Sequence, residues 1–85
     1  MITHHKFEQL SIGDKITILF RDGYFVTAIR YYGYKVNLYL LNNYYVEVFY
    51  NHKQDCIERI ELMALSHSRM KFYADQIRLP QNLLD

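Results

Sequence analysis

An α+β domain is what the sequence predicts: a five-stranded antiparallel β-meander, strongly twisted or partly closed, followed by a C-terminal α-helix. Two observations carry that reading. Gly13, Gly23, Gly33 and Asn43 recur at intervals of ten with β-branched and aromatic residues between them, the pattern of equal strands separated by turns. Farther on, Met70, Tyr73, Ala74 and Ile77 recur at i, i+3, i+4 and i+7, the apolar stripe of one helix. The whole chain of 85 residues makes one domain, with the meander over about 14–63 and the helix over about 67–78.

Residues 1–12 are short and mixed, with Phe7, Leu10 and Ile12 available to plug an edge of the core. Gly13-Asp14 reads as a turn into the first strand. Hairpin loops follow at Arg21-Asp22-Gly23, Tyr31-Tyr32-Gly33 and Leu41-Asn42-Asn43. A three-residue hairpin loop commonly ends in a left-handed residue, which glycine adopts freely and asparagine tolerates. The alternative is a set of two-residue loops at Asp22-Gly23, Tyr32-Gly33 and Asn42-Asn43. Three-residue loops pair Leu38 with Val46 and Val36 with Val48, whereas two-residue loops set Leu38 against Glu47. Packing therefore favours the three-residue register.

Seven strand residues and three loop residues keep even positions on one face throughout. That face carries Ile16, Ile18, Phe20, Tyr24, Val26, Ala28, Val36, Leu38, Leu40, Val46 and Val48, the predicted core. The odd face reads in rows: Leu19, Phe25, Tyr39 and Tyr45; then Thr17, Thr27, Asn37 and Glu47; then Lys15, Ile29, Lys35 and Phe49. A fifth strand over about Cys56 to Met63 returns after a longer loop and places Arg59 opposite Glu47. Its rival is a helix capped by Asp55 with Glu58 as capping-box partner. The final helix has Ser66 as N-cap, Leu65 and Met70 as a hydrophobic staple, and Pro80 just past its end. Leu83 and Leu84 form an apolar tail.

Composition narrows the function. An apolar fraction of 51% and an aromatic fraction of 16% exclude a disordered chain. Ten Lys/Arg against nine Asp/Glu give a net charge of +1, which lacks the electrostatic footprint of a duplex nucleic-acid binder. Nine tyrosines without a tryptophan suit half-buried strands, since the phenol has an apolar ring and a polar tip. Cys56 is the only cysteine, so no intramolecular disulfide is available and a reducing setting fits. No leader-like or membrane-length apolar run appears. A cytoplasmic protein with no membrane association is the expectation.

Chemistry is sparse. His4, His5, His52 and His67 lack metal-ligand spacing, and Cys56 four residues after His52 makes one weak pair. Cys56 beside His52 is conceivable as a nucleophile and base, but an even position makes Cys56 a small core-edge residue. The glycines punctuate hairpins and form no phosphate cradle. No catalytic, metal or cofactor-binding set emerges, and an enzyme is not expected. The best candidate binding surface is the aromatic row Phe25, Tyr39 and Tyr45 with Lys35, Asn37 and Arg59 beside it. Aromatic residues next to cations stack single-stranded bases, and tyrosine and arginine are enriched at protein interfaces.

The stretch Gly13-Asp14-Lys15-Ile16, then Asp22-Gly23-Tyr24-Phe25 and Ala28, resembles the opening of SH3-like small barrels, Tudor domains in particular. The likeness covers about two strands. It implies a partly closed barrel, and a methylated lysine or arginine held in an aromatic cage, with Phe20 and Phe25 at cage positions. Leucines in Val36–Asn42 stand where the family has an Asp-Tyr pair. The alternation around Val46–Tyr50 and Ile57–Glu61 also resembles small bacterial proteins that carry no known activity. Together these features imply a non-enzymatic interaction module. Its expected mode is protein–protein or self-association through the aromatic sheet face or an edge strand. The alternative is single-stranded nucleic acid on the same face.

Overall fold

The computed structural model describes residues 2–63 and Tyr73. The helix expected over 67–78 and the tail at Leu83 and Leu84 lie outside the described residues, Tyr73 apart. Two short helices come first, α1 (His4–Glu8) and α2 (Ile12–Asp22). Four strands follow: β1 (Tyr24–Tyr31), β2 (Tyr34–Leu41), β3 (Tyr44–Asn51) and β4 (Cys56–Met63). They form one open antiparallel sheet in the order β1-β2-β3-β4. This corrects the predicted fold: the sheet has four strands instead of five, it does not close into a barrel, and helices precede it.

The segment expected as the first strand is helical because its ends and its period both favour a helix. The Ser11 hydroxyl accepts the Asp14 N–H at 3.2 Å and caps the first turn. Ile12, Ile16 and Leu19 fall at i, i+4 and i+7, one helical face. The run Ile16-Thr17-Ile18 also alternates as a strand would, and the two periods disagree at the next positions. Alternation buries Phe20, whereas the helix buries Leu19. Leu19 is 3% exposed and Phe20 76%. Gly23 ends the helix, its N–H donating to the Leu19 carbonyl at 2.9 Å. A Cβ there would stand 2.6 Å from that same oxygen, so the backbone approach admits only glycine. Gly23 is therefore a helix stop and not a hairpin residue.

The two hairpins that remain of the ladder use two-residue loops. Tyr31 pairs with Tyr34, and Leu41 with Tyr44. Tyr32 and Gly33 take φ of +47° and +83°, both positive as a type I′ turn requires, and that turn matches the twist of the strands it joins. Asn42 takes φ +56°. The three-residue register is thus corrected, and Leu38 does face Glu47. β4 spans Cys56–Met63 as expected of a strand, which removes the helix reading of that segment. Its register sets Glu61 opposite Glu47, and Arg59 opposite Phe49. Irregularities at Val26 in β1 and Glu58 in β4 each shift the pairing by one.

An odd register across β2 and β3 puts even residues of one strand beside odd residues of the next, so the uniform even face does not form. Val36 and Leu38 are buried on one side of the sheet and Val46 and Val48 on the other. The helices cover the second side, where Phe7 and Leu19 meet Leu41, Val46, Val48 and Ile60. The first side gathers Ile29, Val36, Leu38, Phe49, Met63 and Tyr73. Each fully buried apolar side chain contributes roughly 1.5–3 kcal/mol. The helix layer is also tied down by polar contacts. The Ile2 carbonyl accepts from Asn42 Nδ2 at 2.7 Å and from Tyr44 Oη at 3.1 Å, and Lys15 Nζ donates to the Ile60 carbonyl at 3.3 Å.

Candidate functional site

Directly paired residues of neighbouring strands share a face, so the register decides which of the predicted surface residues meet. Phe25 pairs with Tyr39, and Tyr39 with Val46, which places both rings on the helix-covered side. Asn37, opposite Val48, and Lys35, opposite Tyr50, share that side. Tyr45 and Arg59 do not. Tyr45 pairs with Leu40 and Met63 and packs in the other cluster. Arg59 lays its guanidinium 4.0 Å from the Phe49 ring centroid and 5.8 Å from that of Tyr34. It also lies 3.8 Å from Glu61. The predicted six-residue surface is thus split in two by the two-residue hairpin loop.

What the structure does assemble is a cleft between α2 and the sheet. Its volume is about 140 Å³, with Ile16, Leu19 and Phe20 on the helix side and Asn37, Tyr39, Val48 and Ile57 on the sheet side. Phe25 stands at its border, edge-on to Tyr39 with centroids 5.6 Å apart and planes at 72°. At the helix–strand junction Phe25 is 52% exposed on the side of the exposed Phe20, whereas Tyr24, 74% exposed, pairs with Leu40 and faces the other side. At the far end of the same face, Arg30 and Lys35 oppose each other, with Tyr50 next in the row. Sequence reasoning set Phe20 and Tyr24 in the core, gave Phe20 a binding role only as a cage position implied by the barrel resemblance, and left Arg30 out of the candidate surface. The Ser11–Asp14 cap and the Ile12, Ile16, Leu19 spacing were the signals that turn Phe20 outward.

The opposite face holds a polar clamp. Tyr34 Oη donates to Glu58 Oε2 at 2.5 Å, and Asn51 Nδ2 donates to Glu58 Oε1 at 2.7 Å. The Tyr34 hydroxyl first, and the Asn51 amide second, hold the Glu58 carboxyl below its usual range. The same hydrogen bond from the other side raises the Tyr34 phenol. With both carboxylate oxygens engaged, Glu58 ties β2, β3 and β4 together and is a poor general base. Cys56 is exposed at the start of β4. His52 sets its ring edge-on to Tyr50 at 5.2 Å. Tyr50 donates its hydroxyl to Asp55. Among the described residues, no three His, Cys, Asp or Glu side chains converge as metal ligands, and no helix is long and apolar enough to cross a membrane. No protein-family model matches the chain, and neither a curated protein nor a solved structure matches it.

Proposed function

We propose that the protein is a non-enzymatic interaction module that engages a protein partner, a second copy included, through the aromatic rim where α2 meets β1. The observation that supports this is the exposure of Phe20 and Phe25 on the helix side of the sheet, beside the cleft, with exposed Tyr24 across the β1 edge on the other side. Keeping each such ring in water forgoes about 1.5–3 kcal/mol of burial, and contiguous exposed apolar surface marks interaction sites. The two sheet edges differ in a way that favours the same place. At β4, Lys15 occupies the Ile60 carbonyl. β1, the other edge of the sheet, brings main-chain donors and acceptors next to the exposed rings, the arrangement used in strand addition.

Sedimentation velocity from micromolar to near-millimolar protein tests the reading, together with chemical cross-linking of the protein in its native extract. Association that disappears in Phe20→Ser/Phe25→Ser is the expected result. A wild type that stays monomeric and cross-links to nothing overturns it. Single-stranded nucleic acid is the second reading. It keeps Phe25, Tyr39, Asn37 and Lys35 and adds Arg30, but loses Tyr45 and Arg59 to the other face. Binding of a labelled oligonucleotide at low salt that Tyr39→Ala abolishes would favour it.

A further inference from the structure

The row Arg30, Lys35, Tyr50 lies on the same face as the cleft, and while Tyr50 is tied through its hydroxyl to Asp55, Arg30 and Lys35 make no side-chain ion pair among the described residues. Arg30 and Lys35 are directly opposite one another, a placement that costs stability between like charges. Both are exposed. Among the described residues neither has a carboxylate within ion-pairing distance. In a chain of net charge +1, two adjacent unneutralised cations make a local positive site that an anion would relieve.

Between this pair and the Tyr39 end of the cleft the floor is low. Ala28 pairs with Asn37, which itself lines the cleft, so the cleft reaches to within one row of the cations and Tyr39 stands at its farther end. Tyr39 and Lys35 are four residues apart on one strand, a separation of about 13 Å at roughly 3.3 Å per residue. An extended peptide has the same rise, and its residues i and i+4 point to one face. At the apolar end, the cleft of about 140 Å³ has the capacity of the cavities of about 150 Å³ that take up a benzene ring.

We propose that the partner presents an extended peptide segment in which one aromatic or branched aliphatic side chain enters the cleft at its Tyr39 end and a carboxylate side chain four positions away sits between Arg30 and Lys35. This rests on the reading of the protein as an interaction module and specifies its partner's chemistry. The cations set the direction and the acidic requirement, while the cleft supplies the apolar anchor.

Selection of a displayed random-peptide library on the purified protein tests it, followed by fluorescence polarisation of the enriched peptides. The expected pool pairs an apolar residue with Asp or Glu at a spacing of four. Affinity falls about tenfold in Arg30→Glu/Lys35→Glu, and by less in Arg30→Gln/Lys35→Gln. Both variants change only exposed side chains, and circular dichroism confirms their fold. Peptides that lack the acid at that spacing, or that bind the charge-reversed variant equally well, overturn the inference and leave the module reading intact. If nothing is enriched and Phe20→Ser/Phe25→Ser changes no association, both readings fall. An oligothymidine probe that binds this face while no acidic peptide does overturns the peptide assignment in favour of phosphate.

Discussion

On the helix-covered face of the sheet, Leu41, Val46, Val48 and Ile60 pack against Phe7 and Leu19. On the other face the same strands bury Glu47 completely, its carboxylate receiving the Tyr73 hydroxyl at 2.9 Å. That face also stacks Arg59 on Phe49 and clamps Glu58 between Tyr34 and Asn51. The difference teaches where each layer is vulnerable. An aliphatic layer depends on volume, and truncation leaves a cavity. A polar layer depends on every donor and acceptor keeping a partner, so removal of one atom is felt without any change of shape.

The largest expected effect breaks the comparison on the helix side. Phe7→Ala should cost about 3–5 kcal/mol in urea denaturation. A loss below about 1 kcal/mol would mean that the helices do not form a true layer. Next comes the opposite face, where Tyr73→Phe keeps the ring and removes a hydrogen bond to buried Glu47. A loss of about 1–3 kcal/mol is expected, and an unchanged midpoint would show that Tyr73 contributes only its ring.

The smallest effect concerns the Glu58 clamp and is read against pH. Because Glu58 is held below its usual range in the folded state, its contribution is complete above the ordinary carboxylate range. It is lost as pH falls through the depressed folded-state value. Tyr34 is raised, so its share is complete below the ordinary phenol range and lost as pH rises through the raised value. Thermal midpoints of wild type and Tyr34→Phe should therefore separate near neutrality and converge in acid. A gap that stays constant with pH would sink the clamp as an explanation.

Four strands were legible in the sequence, and the helix at α2 was not, for physical reasons that particular residues make plain. β1, β2, β3 and β4 carry β-branched and aromatic residues between turn signals, and their local preferences agree with the sheet. Ile16-Thr17-Ile18 satisfies two periods at once, and the cap at Ser11 is what decides between them. The hairpin register failed on Glu47. Judged as a pair, leucine against glutamate looks poor. The buried carboxylate is supplied by Tyr73, twenty-six positions later, which no pairwise reading of two strands contains. The candidate surface inherited that error. Phe25, Tyr39, Asn37 and Lys35 stayed together because they depend on β1 and β2, where the register with Tyr39 survives through the bulge at Val26. Tyr45 and Arg59 were lost because they depend on β3 and β4.

The order of the sheet also bears on how the chain reaches this structure. Every strand pairs only with its neighbours in sequence, and the turns at 32–33, 42–43 and 52–55 close short rings whose entropy cost is low. The contact between Lys15 and Ile60 bridges forty-five positions, and it waits for both ends of the meander to be in place. Short closures are favoured under those conditions, so the topology predicts a sheet that zips hairpin by hairpin with the helices laid on last. Phe7→Ala should then appear in stopped-flow chevrons chiefly as faster unfolding, with the refolding rate little altered. On that order the lock between helix layer and β4 is a brake on unfolding, fitted after the sheet has formed, and a refolding rate that falls with Phe7→Ala would refute it.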